Sequence, residues 1–215
     1  MTSPLPLRSC LSLLLLALAG CSGLHSKDPP VQTYVLQAGA ATLPRAAGDG
    51  PGNGGERPGD GAPTLAVSRP TASSGLDSER IALIRNDGRL DNYAASRWAG
   101  NLPDVLQTLL LDSLRASGRY RAVMADTAAF GADLLLQVEV RQFQAEYGAG
   151  GPPVAHVVLD GTLGLRGPRE VTHTLHAESR VTAGADRMGM VVAAFNQAVA
   201  DAMMQLREQS GQNRR

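Results

Sequence analysis

Four histidines, two cysteines and one tryptophan carry the most distinctive chemistry in this 215-residue sequence. His176 stands two residues before Glu178, a spacing that puts base and carboxylate on one strand face, as a general base and its orienting partner would need. His173 and His176 are three apart, which on a strand points them to opposite faces and separates them as metal ligands. His156 falls on the polar register of its segment and His25 in a polar stretch, so both are expected at the surface. His173 falls on the apolar register and is expected to be a hydrogen-bonded core histidine. The chain has no G-x-S-x-G elbow, no P-loop lysine motif and no H-E-x-x-H. A literal G-x-G-x-x-G at Gly50, Gly52 and Gly55 is interrupted by Pro51 and Asn53 and lacks a βαβ setting, so it is not a nucleotide-binding turn.

The cysteines point elsewhere. Residues 10–19 (CLSLLLLALA) form an apolar run of signal-peptide size, behind a single positive charge at Arg8. The run is too short to span a bilayer, which takes roughly 20 apolar residues. It ends in Leu18-Ala19-Gly20-Cys21, which resembles a bacterial lipobox. The resemblance implies cleavage before Cys21, a diacylglyceryl group on its thiol and an N-acyl chain such as palmitate on its freed α-amine. Cys10 then leaves with the signal, so the mature chain holds no intramolecular disulfide. One acyl chain binds a membrane marginally, but two or three, at about 0.8 kcal/mol per buried CH₂, anchor it durably. Ser22 after the cysteine, in place of Asp, resembles the sorting pattern for the outer membrane, facing the periplasm. No cofactor and no metal site are expected beyond this covalent lipid.

Around these residues the chain divides by composition. Residues 1–20 read as a lipoprotein signal peptide and 21–32 as a lipidated tether. The eleven residues 22–32 (SGLHSKDPPVQ) reach about 35 Å when extended. Residues 33–208 form the folded domain, and 209–215 a disordered tail. Gly and Pro concentrate in an insert at 39–63, with eight Gly and four Pro, expected to be disordered. Because loop closure grows only with the logarithm of length, its deletion should leave the fold intact. Lys plus Arg number 20 against 20 for Asp plus Glu, so no basic field exists to hold nucleic acid.

The periodicities place the elements. Short strands are expected at 33–37, 65–69 and 120–124, and a hairpin at 81–93 turning on Asn86-Asp87-Gly88. Asn101 is placed as an N-cap, Pro103 in a first turn, and Leu102, Val105, Leu106, Leu109, Leu110 and Leu114 follow at helical spacing up to Gly118. Strict alternation then runs through 134–141, 156–166 and 171–181, joined by turn chemistry at 148–153 and 167–168 as an antiparallel meander. A terminal helix is expected at 187–208, with Val191, Val192, Phe195, Val199, Met203 and Leu206 on one stripe. Two helices with one apolar stripe each cover one sheet face, giving an α+β two-layer sandwich whose sheet is mainly antiparallel. Such a sandwich leaves little room for acyl chains between its layers. The polar face carries Glu139, Arg141, Asp160, Arg166, Glu178 and Arg180, which can pair across strands or meet a partner.

Cys21, the Tyr34-Val35-Leu36 strand, the Ser78-Glu79-Arg80-Ile81 hairpin entry, residues 93–102 (YAASRWAGNL) leading to Pro103, and the closing 195–204 helix together resemble the ABC-type transport auxiliary lipoproteins, the group of the paraquat-inducible protein C-like proteins. The insert is longer than the family's usual loop. The resemblance implies a non-enzymatic subunit of a lipid transport system, in which an ABC permease and ATPase work with a periplasm-spanning mammalian-cell-entry (MCE) domain protein and sustain envelope integrity. It makes Tyr93, Arg97 and Trp98 candidates for partner contact, since aromatic and Arg anchors dominate interfaces. Trp98 has a second reading, as cover for one end of the core beside the helix start. A homo-oligomer is compatible with the sequence. Two other classes stay open: a structural lipoprotein assembling or plugging an outer-membrane β-barrel machine, and a lipid-anchored hydrolase using His176 and Glu178.

Overall fold

Alternating apolar and polar residues between 134 and 182 build a three-stranded meander on which the other elements assemble. The computed structural model of the chain describes residues 30–38, 61–128 and 130–211. The signal peptide, Cys21, nearly all of the tether, most of the insert and residues 212–215 lie outside the described residues. In chain order the elements are β1 (Gln32–Tyr34), β2 (Thr64–Val67), β3 (Thr71–Ala72), β4 (Arg80–Ile84), β5 (Leu90–Trp98), α1 (Leu102–Ala116), β6 (Ala122–Ala125), β7 (Leu134–Glu146), β8 (Val154–Leu165), β9 (Glu170–Thr182) and α2 (Met188–Gln209). They belong to the compact unit Val31–Arg215.

β7, β8 and β9 pair antiparallel along nearly their full lengths, from Leu134 opposite Leu165 to Val154 opposite Thr182. The other edge of β7 is shared by three short strands, all parallel to it: β2 at Leu134, β3 at Glu139 and β4 at Ala145. β6 adds to β2 in parallel, β5 to β4 antiparallel, and β1 to β5 in parallel. The sheet is mixed: its long pairings are the antiparallel ones expected, and short parallel pairings are added beside them. The parallel pairings come from the returns: β2 and β6 are neighbours in space but are separated in sequence by β3, β4, β5 and α1, a crossover that strand periodicity does not encode.

The dry face meets both helices in one core. α1 buries Leu102, Leu106, Leu110 and Leu114 on a four-residue repeat, and α2 buries Val191, Phe195, Ala198, Val199 and Ala202 among others. Pro103 fits the first turn of α1, where its missing N–H is an orphan anyway. Asn101 occupies the N-cap with its carbonyl receiving the Asp104 and Val105 amides, while its side chain makes no capping bond. After α1, Gly118 takes a positive φ of 64°, the turn a glycine was expected to make. α2 includes Gln209, and Ser210 receives the Tyr120 hydroxyl at 3.4 Å, so held chain extends into the stretch expected to be a tail. Likewise Ala62 is buried and the Pro63 carbonyl accepts the Arg121 amide, so the far end of the expected insert belongs to the fold.

Two outer strands are closed by helix side chains. On β9 the amide of Gln209 exchanges two hydrogen bonds with the His176 backbone, at 2.9 and 2.6 Å, and Gln205 does the same with Glu178 at 3.1 and 2.9 Å. Each glutamine thus imitates a neighbouring strand. On β6, Arg115 Nε donates to the Val123 carbonyl at 3.2 Å.

Candidate functional site

The residues expected to meet a partner sit around an irregularity in β5. Opposite β4 the register shifts between Arg80, paired with Arg97, and Ala82, paired with Asn92, so extra residues of β5 bulge outward. Ala95, inside this bulge, takes a φ of 49°, which an alanine adopts at a cost of roughly 1 kcal/mol. The bulge separates the environments of its three candidate residues.

Tyr93 is half-buried. Tyr147 donates its hydroxyl proton to Asp186 Oδ1 at 2.8 Å, which leaves its oxygen to accept from Tyr93 at 3.0 Å. Burial first, and then the hydrogen bond to Tyr147, pushes the Tyr93 hydroxyl well above the usual phenol range. Arg97 is exposed: its guanidinium reaches Thr33 Oγ1 at 3.2 Å and Glu79 Oε2 at 3.3 Å, so it ties β1 to the entry of β4 and still faces solvent. Trp98 is 1% exposed. Its ring meets Phe143 and Phe195 edge-on at 6.1 and 5.4 Å, and those two stack at 5.2 Å. That burial takes the indole off any surface a partner can touch, in keeping with its second reading as core cover. Of the three residues, only Arg97 presents its functional group openly.

The histidines are placed differently from their strand register. His156 is 4% exposed, a correction to its expected place at the surface. Its strand face is right, but the side chains around it close over the ring. Nδ1 lies 2.7 Å from Glu146 Oε1, Nε2 lies 3.0 Å from Glu178 Oε1, and Arg180 bonds Glu146 from above. Burial works to raise the Glu146 carboxyl, but hydrogen bonds from His156 and Gln144, with the charges of His156 and Arg180, outweigh it and hold the group below the usual range. His173 is half-buried on the apolar register, yet neither ring nitrogen has a hydrogen-bond partner, so the expected satisfied core histidine is half right. His176 is exposed and pairs with Asp160 at 2.7 Å, not with Glu178, which is engaged by His156. The His176–Glu178 pair expected as base and orienter is therefore not formed; the carboxylate that holds His176 is Asp160. Among the described residues no group of three or more His, Cys, Asp or Glu is placed to hold a metal ion.

What the open sheet face offers is mutual neutralisation. Arg141 bonds Glu139 at 2.8 Å and lies 3.7 Å from Asp160, which also holds His176; Arg180 joins Glu146 and Glu178. Arg141–Asp160, His176–Asp160 and Arg180–Glu146 join different strands, as expected of the polar register, while Arg141–Glu139 and Arg180–Glu178 lie within one strand. Glu146 and Gln144 complete the His156 cluster and were not singled out in the sequence. The signal was present in the alternation of Gln142, Gln144 and Glu146, which continues the polar face past the β7 irregularity at Val140/Gln142.

The family model of the ABC-type transport auxiliary lipoprotein component matches residues 49–206. Among solved structures, protein XCC0632 from Xanthomonas campestris aligns with a TM-score of 0.64 at 22% identity, covering 84% of this chain and 93% of that one. A second solved structure, of an uncharacterized protein, aligns with a TM-score of 0.59 at 17% identity, covering 69% of this chain and 92% of that one. At these identities the likeness is one of fold. No curated protein matches the chain.

Proposed function

We propose, from the premise that this chain belongs to the ABC-type transport auxiliary lipoprotein component family, that it is the lipid-anchored, non-enzymatic subunit of an ABC/MCE-type lipid transporter. In this reading Cys21 carries the acyl chains at the outer membrane, the tether spaces the domain from the bilayer, and the folded unit docks the periplasm-spanning MCE protein in support of envelope integrity. The observation that carries the proposal is the family match over the folded unit, behind a cysteine in lipobox context. The geometry agrees with it: Arg97 stands exposed at the surface, where a partner can reach it. Tyr93 supports that contact from the side of the β5 bulge.

Two measurements test this reading. Replacing Cys21 by Ala is expected to move the protein from the outer-membrane fraction to the soluble periplasm and to abolish rescue of an envelope-defective deletion strain; full rescue by C21A would refute the anchoring role. Affinity purification of the acylated chain from gently solubilised envelopes is expected to recover an MCE-domain protein with its permease and ATPase. Recovery of a β-barrel alone would transfer the protein to the assembly class.

A further inference from the structure

The open face changes character where β7 begins and β8 turns into β9. A hollow of about 400 Å³ lies there, with Leu135, Leu165 and Val171 among its apolar lining and Arg166, Arg169 and Glu170 among its charged lining. Its shape comes from an irregular hairpin. The β8–β9 register shifts between Leu163 and Gly164, and a Cβ on Gly164 would fall 2.5 Å from the Glu170 carbonyl oxygen. Only glycine allows the β9 backbone so near, and no side chain fills the face at that point. Arg169 takes a φ of 58°, a conformation that glycine and asparagine adopt far more readily, so an arginine is held here against backbone preference.

The electrostatics are equally local. Elsewhere on this face Arg141 and Arg180 are paired with carboxylates. Among the described residues, neither Arg166 nor Arg169 has a side-chain hydrogen-bond or ion-pair partner. Two unpaired guanidiniums beside one carboxylate favour an anion, and the planar fork of arginine suits the paired oxygens of a phosphate. The apolar lining is open as well: Leu165 is 37% exposed and Val171 60%. Phe130, at 77%, precedes the Asp133 carbonyl that receives the Arg166 amide at 3.0 Å, which extends apolar surface near this end of β7.

The geometry points to a binding site for an anionic amphiphile: a phosphate-bearing lipid head group held by Arg166 and Arg169, with the first methylenes of its chain on Leu135, Leu165 and Val171. The hollow is a surface seat on the open sheet face and does not require the two layers to part. It stands on its own geometry and does not depend on the transporter reading, so either can fail without the other.

The test uses the full acylated chain in nonionic detergent, titrated calorimetrically with dihexanoyl-phosphatidylglycerol, dihexanoyl-phosphatidylcholine and inorganic phosphate. Saturable binding of the anionic lipid is expected, with the zwitterionic lipid and phosphate each weaker by about tenfold or more, the worth of one charge-assisted contact. Arg166→Ala and Arg169→Gly are each expected to weaken the anionic lipid by about tenfold. Because glycine accepts a positive φ, R169G should melt at or above the wild-type temperature, which separates lost binding from lost folding. Val171→Ser is expected to weaken the lipid and leave phosphate unchanged. Equal binding of the two lipids, or wild-type affinity in R169G, would overturn the site; phosphate binding as tight as the anionic lipid would overturn its amphiphilic part.

Discussion

Trp98 and Glu146 show how single side chains do different work in the two layers. Trp98 fills the space between Phe143 and Phe195 at the junction of β5, β7 and α2. Truncation to Ala would leave a cavity that its rigid neighbours cannot collapse, so W98A is expected to lose about 3–5 kcal/mol of stability, read as an earlier thermal or urea transition. Wild-type fluorescence should be blue-shifted and protected from iodide, because this is the sole Trp and it is 1% exposed. Glu146 acts through pH. Its folded carboxyl lies below the ordinary range, so its contribution is full at neutral pH and is lost as pH falls below 4.5 toward and through the folded value. Glu146→Gln is expected to be less stable at pH 7 and to show a flatter loss of stability between pH 5 and 3; parallel acid titrations of the two proteins would argue against this role. His156 was misplaced from the sequence for a related reason. Alternation names the face a side chain leaves from, but not whether Glu146, ten residues earlier in the chain, will fold over it.

At the scale of elements, the outer strands are what the helices must manage. A strand 13 residues long with a free edge invites another strand, and β9 is prevented from pairing at His176 and Glu178 by Gln205 and Gln209. Replacing both glutamines by Ala should cost about 1 kcal/mol each in lost hydrogen bonds. It should also promote self-association, which analytical ultracentrifugation would detect as concentration-dependent species absent from the wild type. A strictly monomeric double variant would mean that the edge is protected by other means. Most elements were legible: helical spacing found both helices to within a few residues, Asp87-Gly88 found the β4–β5 turn, and strict alternation found the meander. The β5 bulge was not, because it arises from β5 pairing with both β4 and β1, and a pattern local to 90–98 cannot contain that competition. The Gln205 and Gln209 caps were hidden for a similar reason. On a helix wheel they read as ordinary solvent-facing polar residues.

For the molecule as a whole, the family membership was legible from motif order, whereas the sheet's connectivity was not. Parallel partners carry no signature in the strands themselves, and β2 resembles any short apolar run until β7 and β6 flank it. Residues 39–60 lie outside the described residues, and their sequence reads as a loop whose cost is closure of the connection from β1. Removing part of residues 39–60, while keeping Gly61, Ala62 and Pro63 in place, is therefore expected to leave the melting temperature within a few degrees, since halving a loop changes closure by only about 0.6 kcal/mol. A large loss of melting temperature would show that those residues contribute contacts of their own.

The sharing of one β7 edge among β2, β3 and β4 also sets an order of events. The β7–β8–β9 meander needs only neighbouring segments and can zip from its own turns, at a small cost in chain entropy. The opposite edge must recruit three segments from far earlier in the sequence, each contributing only a few rungs of pairing. Non-local parallel contacts of that kind close late and open early. Backbone amides along β8 should accordingly be the last to exchange with deuterated solvent, while those of β2, β3 and β4 exchange through partial openings that leave the meander standing. The fold thus has a slow half and a fast half, and the hollow between Arg166 and Arg169 belongs to the slow one.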